Sequence, residues 1–240
     1  MNHTHFVQSI PDTLGRYDMY ANIHKALRKA QCEMLIRLGQ TDFAHDDLAP
    51  LLEDLRDLLS FGSSHISHEE VHIHPAIELR SPAATTDLQQ QHDSHRHNFR
   101  LLEELINVLQ ESAPEKREAL GRRLYLAYSA FIAHDFEHMF EEETLNNARL
   151  WELFDDGELH AMERAIVGSL PPQKAMAAMR LMIPAISRDE RVRLLAGMKE
   201  NAPKEIFEAV MEHAARPTLC REDFSNLSRR LMLTQCVPVY

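Results

Sequence analysis

The chain has 240 residues, of which 44% are hydrophobic, with 26 Lys and Arg against 37 Asp and Glu for a formal net charge of −11. That length and hydrophobic share suit one generous packed domain, or a core domain with an added subdomain, rather than disorder. The acidic balance, with no basic run long enough to track a phosphate backbone, argues against a nucleic-acid partner.

Met1 to Gln8 lacks the basic and then apolar order of a secretion signal. No stretch approaches the roughly 18 apolar residues of a membrane span, so the expected location is the cytoplasm, with no membrane partner. Glycine is scarce, and Leu, Ala, Glu, Met and Arg dominate, which predicts an all-α fold. Pro11, Asp12 and Thr13 precede an apolar-periodic run from about Leu14 to Leu38, with Gly39 as a stop signal, and this predicts a first helix. Asp46 and Asp47 mark a second start. Leu51, Leu55, Leu58, His65, Glu69 and His72 then recur at helical spacing up to Pro75, which is expected to kink the helix near its end.

A turn at Ser81-Pro82 and Thr85-Thr86-Asp87 leads to a third helix through Leu88, His95, Phe99, Leu102, Ile106 and Leu109. Ser112-Ala113-Pro114-Glu115 opens a fourth that runs to about Trp151. Four long helices with short connections predict an antiparallel four-helix bundle over residues 12–152. Beyond Gly157 the punctuation at Pro171-Pro172, Ile186-Ser187-Arg188-Asp189, Asn201-Ala202-Pro203 and Arg216-Pro217 predicts a C-terminal subdomain of about five short helices over residues 158–233. Its amphipathic pieces suit packing on the bundle or a homodimer through the C-terminal helices. Cys32, Cys220 and Cys236 are scattered and odd in number, so neither a disulfide framework nor a thiolate metal site is expected.

The 15 histidines are the anomaly of the composition, so their placement matters. Residues three, four or seven apart share a helix face. On the second helix His65 and Glu69 are four apart and lie on the stripe of Leu51, Leu55 and Leu58, with His68 and His72 in the same arc. His74 projects to the opposite side and is expected at the surface. The fourth helix repeats the arrangement, placing His134, His138 and Glu142 on the stripe of Leu120, Leu124, Ala127 and Phe131. His24 lies on the apolar face of the first helix and His95 on that of the third, with His92 about 60° away.

A single inward histidine is ordinarily a hydrogen-bonded core residue. Four histidines and two glutamates in one core are another matter, because buried charges need partners and a metal cluster would satisfy them together. Imidazole with carboxylate and no thiolate suits iron, manganese or zinc rather than a soft copper site. Two glutamates facing each other across a bundle can each bridge two ions.

These residues resemble the hemerythrin-like, or HHE cation-binding, family. The segment His65-Ile66-Ser67-His68-Glu69-Glu70 up to Pro75 resembles its H-x-x-x-E-E-x-x-x-x-P signature, and His138-Met139-Phe140-Glu141-Glu142-Glu143 resembles its H-M-x-x-E-E. The resemblance implies a non-haem centre of two iron ions joined by an oxo or hydroxo bridge, with manganese or zinc as alternatives. Its implied ligands are His24, His65, Glu69, His95, His138 and Glu142. Oxygen-carrying members place two histidines four apart on the third helix, whereas Gln91 stands four before His95 here, so the six-ligand site of iron-sulfur-repair and nitric-oxide-related relatives fits better. His72, His92 and His134 are then extra ligands or groups that orient the ligands. The function expected is binding or sensing of oxygen, nitric oxide or iron, with a diatomic ligand as partner. The alternatives are an enzyme acting on oxygen, peroxide or nitric oxide, an iron donor in cluster repair, and a storage or structural site.

Overall fold

The computed structural model describes residues 15–233, and among them the chain is helical with no strand. The expected start of the first helix, from Pro11 to Leu14, lies outside the described residues, as does Cys236. Helix α1 spans Ala21–Gln40, later than the expected start. Gly15 has φ +81°, and the Asp18 carboxylate accepts the Tyr20 N–H at 2.9 Å, which closes a local turn where a helix would otherwise begin. Gly39 does not stop the helix; a Cβ there would meet the Tyr125 ring at 3.3 Å, so its smallness serves a close approach.

Helix α2 spans Ala49–His72 and α3 spans His74–Arg80. Pro75 has no N–H to donate and its ring crowds the preceding turn, so the helix cannot run through it unbroken. The break falls at Ile73, with φ −99° and ψ −56°; its N–H still reaches the Glu69 carbonyl at 2.8 Å. His74 is nonetheless buried at 4% exposure, with the His92 ring against it, which corrects the surface position expected from projecting one helix alone.

Helix α4 spans Thr86–Gln110 and α5 spans Pro114–Glu141, with Pro114 in the first turn where its missing N–H costs nothing. The run beyond α5 widens into a π-helical stretch, Glu142–Asn146, before α6, Asn147–Leu153, and α7, Asp156–Ser169. The last helices are α8, Pro172–Ala185, α9, Arg188–Asn201, α10, Lys204–Val210 with a π-helical stretch Met211–Ala215, α11, Arg216–Thr218, and α12, Arg221–Leu233.

The described residues divide into two compact units, 15–20 with 30–168, and 21–29 with 169–233. The first unit holds two apolar clusters. One joins Met34 and Leu38 of α1, Leu52 and Leu55 of α2, Ile106 and Leu109 of α4, and Leu124 and Tyr128 of α5. The other joins Tyr20, Ile73, Ile77, Leu150, Phe154 and Leu159. Along α2 and the run from α5 to α6, the segments between these clusters carry His65, Glu69, His138 and Glu142, so a polar layer lies between two apolar ones.

The second unit packs Met179, Ile183, Leu195, Val210, Ala214, Leu227 and Leu231 into a separate core. Ser187 and Glu190 form a reciprocal capping box at the start of α9, and Glu190 also pairs with Lys25. The buried Arg191 donates to the Ile183 carbonyl at 2.7 Å and to Asp223 at 3.1 Å.

Candidate metal centre

Spacing of four on a helix stacks two side chains on one face, and α2 and the α5 run each use it to pair an imidazole with a carboxylate. His65 Nε2 lies 3.2 Å from Glu69 Oε1, and His138 Nε2 lies 3.4 Å from Glu142 Oε2. Helix α4 adds His92, whose Nε2 is 3.5 Å from Glu69 Oε2 and 3.9 Å from Glu142 Oε1. Helix α1 adds His24. His24, His92 and Glu142 are 0% exposed, Glu69 2% and His138 4%, so this is a buried constellation of charge.

Two sets of four donors emerge, each with its ligand atoms within 4.8 Å of one another: His24, His65, Glu69 and Glu142, and Glu69, His92, His138 and Glu142. Both glutamates belong to both sets. Of the residues singled out in the sequence, His95 is in neither. It is buried, with Nδ1 3.2 Å from Asp135 Oδ1 and its ring edge-on to His138 at 4.7 Å. His72 is half-buried and stacks with His68 at 6.4 Å, also outside both sets.

His134 is exposed, which corrects its expected place on the inward stripe. The buried stripe of α5 runs instead through Leu124, Tyr128, Phe131, Asp135, His138 and Glu142, alternating steps of four and three. Asp135 takes the inward position because the Gln31 amide donates to it at 2.6 Å and His95 faces its other oxygen. Sequence reasoning placed Gln31 on the inward stripe of the first helix but missed Asp135, although the alternation that points Asp135 inward is present in the spacing from Leu124 to Glu142.

The hydrogen bonds around the layer fix how the imidazoles face it. Gln91 donates its amide to Glu141 at 2.8 Å, which turns its carbonyl towards His138 Nδ1 at 2.7 Å. Glu70 accepts from Arg96 at 2.7 Å and Gln89 at 3.0 Å, and its oxygen lies 3.1 Å from His92 Nδ1. With both Nδ1 atoms assigned as donors, the Nε2 lone pairs of His92 and His138 face the glutamates, the tautomer that ligating histidines adopt. Burial, and then the charges of Glu142, Asp135 and Glu70, push the Glu69 carboxyl well above the usual carboxylate range. Lone pairs meeting carboxylates in a dry layer repel one another, and a multivalent cation removes that repulsion. The donor set therefore fits a metal site, and its chemistry is imidazole and carboxylate without thiolate. Cys32 and Cys220 are both exposed.

The π-helical stretch after Glu142 inserts an extra residue into the turn, a device common at functional sites. Within it Asn146 donates its amide to the buried Tyr20 hydroxyl at 2.5 Å. Burial first, and then the Glu142 and Glu69 charges, raise the Tyr20 phenol well above its ordinary value. His74 sits beside the layer with its ring stacked on His92, and burial, followed by the charge of His92, holds it down at about 4.

The family model for the hemerythrin HHE cation binding domain matches residues 16–150. Neither the curated proteins nor the solved structures yield a match to this chain. No helix among the described residues is long and apolar enough to cross a membrane.

Proposed function

The chain belongs to the hemerythrin HHE cation-binding family, and on that premise we propose that it is a non-haem di-iron protein that binds or senses oxygen, nitric oxide or iron. One observation carries the reading: two four-donor sets share Glu69 and Glu142, an arrangement suited to two ions bridged by two carboxylates. His24 and His65 would hold one ion, and His92 and His138 the other. His95 remains a candidate ligand through Nε2, since ligating imidazoles are commonly anchored by a carboxylate on the other nitrogen, as Asp135 is placed to do. We assign residues 12–152 to an antiparallel four-helix bundle around this centre and 158–233 to a helical extension that would serve dimerisation.

A bound iron pair would supply open coordination positions and a change of redox state. The protein's part is to hold the donors deprotonated and oriented. Gln91 keeps the proton of His138 on Nδ1, and Glu70 does the same for His92. The two apolar clusters flanking the layer keep bulk water from competing for the donors. A second reading, an enzyme acting on oxygen, peroxide or nitric oxide, is favoured by the Asp135–His95 pair, which can hold a proton beside His138.

Anaerobic purification with metal analysis, followed by optical spectra on adding oxygen, nitric oxide or peroxide, tests both. The binding reading expects about two iron ions per chain and a spectral change that reverses when the gas is removed. A reproducible content of one ion, or a zinc-only protein from iron-replete cells, sinks the di-iron assignment. Multiple-turnover consumption of peroxide or nitric oxide selects the enzyme.

A further inference from the structure

Just past the break at Ile73, one more imidazole lies beside the layer. His74 is 4% exposed, and neither of its ring nitrogens has a hydrogen-bond partner among the described residues. A buried imidazole left in that state is destabilising, and an apolar side chain of similar size would fill the space without the loss. The fold alone gives no reason for histidine at this position. A species held beside the ring would.

The surroundings narrow what that species is. The His74 ring stacks on His92 with centroids 5.0 Å apart and planes 20° apart. Two imidazoles that bind one ion must each contain it in the ring plane, so planes this close to parallel would have to lie edge to edge, and these rings are stacked instead. His74 therefore does not share an ion with His92. Its ring centroid lies 5.0 Å from that of His92, whose Nε2 belongs to the donor set of Glu69, His92, His138 and Glu142. What an N–H there can serve is a small molecule or anion occupying an open position at that ion.

We propose that His74 is the hydrogen-bond donor that grips a small exogenous acceptor, an anion or a polar diatomic, at the ion held by Glu69, His92, His138 and Glu142. This rests on the metal-centre reading above and adds to it a residue outside both donor sets. Side chains of three kinds at this position separate the roles: Phe keeps the stacked ring and removes both nitrogens, Gln returns an N–H, and His is the reference.

The test loads each full-length protein with iron, measures iron per chain, and titrates the ferric form with azide while following the optical band of the complex. Iron content should match wild type in His74→Phe, the azide dissociation constant should rise by about tenfold, the loss of one hydrogen bond, and His74→Gln should recover part of it. A merely packing residue would leave azide affinity unmoved in His74→Phe, and that result overturns the proposal. Iron loss in His74→Phe with a normal melting profile also overturns it, by making the residue a ligand of the ion. A wild-type protein that takes up no iron instead defeats the metal-centre reading itself.

Discussion

In the second unit, the buried cation is settled within the protein. Arg191 gives one donor to the Ile183 carbonyl and another to Asp223, whose carboxyl is drawn down by that contact, and the rest of that core is Met, Ile, Leu, Val and Ala. The layer between the two apolar clusters of the first unit is built differently. Glu69 and Glu142 are buried side by side with imidazole lone pairs turned towards them, and the nearby cation, Arg96, is engaged with Glu70 and Asp93. A core that pairs its own charges needs nothing from outside, whereas one that gathers like charges is completed by a ligand it does not encode.

The comparison breaks most sharply at the shared carboxylates. Glu69→Gln and Glu142→Gln should each abolish uptake of the ion pair, since each glutamate serves both donor sets; metal analysis after loading checks this. The apo protein should respond in the opposite sense. The folded chain holds the Glu69 proton to a higher pH than the unfolded chain does, so its contribution to stability is present below about pH 4.3 and is lost as pH rises through the raised folded value. The apo form of Glu69→Gln should therefore gain on apo wild type with rising pH, read as a widening difference in melting temperature between pH 5 and pH 8. A constant difference would mean that Glu69 titrates normally and that the layer is not short of positive charge.

A smaller effect is expected where the orientation of the ligands is altered but the ligands remain. Gln91→Ala removes the acceptor at His138 Nδ1, and Glu70→Ala removes the one at His92 Nδ1. Each should weaken metal affinity by about 10–100-fold with the apo fold intact, measured by competition with a chelator.

The smallest changes should be purely structural and leave metal affinity alone. Arg191→Met in the second unit should cost about 1–3 kcal/mol, the expense of leaving the buried Ile183 carbonyl without its donor. Gly121→Ala, whose new Cβ would fall 2.2 Å from the Phe43 ring, should cost about 1–3 kcal/mol by overpacking. Denaturant unfolding reads both, and a fall in iron content in either variant would show that the two kinds of core are coupled.

Much of this was legible in the spacing of residues. Apolar periodicity with scarce glycine determined an all-helical chain, because 3.6-residue amphipathicity is a local property that needs no tertiary information. The four-residue spacing of His65 with Glu69, and of His138 with Glu142, determined two carboxylate–imidazole pairs on helix faces, because four residues is one turn. What depended on phase over longer distances was decided elsewhere. The helix start at Ala21 was set by a side-chain turn at Asp18, and the burial of His74 by neighbours outside its own helix, among them the His92 ring, which a projection of one helix cannot carry. The α5 stripe passes through Asp135 and leaves His134 exposed, because Gln31 and His95, from two other helices, partner the carboxylate. Likewise His92, not His95, joins the donor atoms of Glu69 and Glu142. Two inward-facing histidines three apart on one helix differ by about 60°, and only the neighbouring helices determine which of them meets the carboxylates.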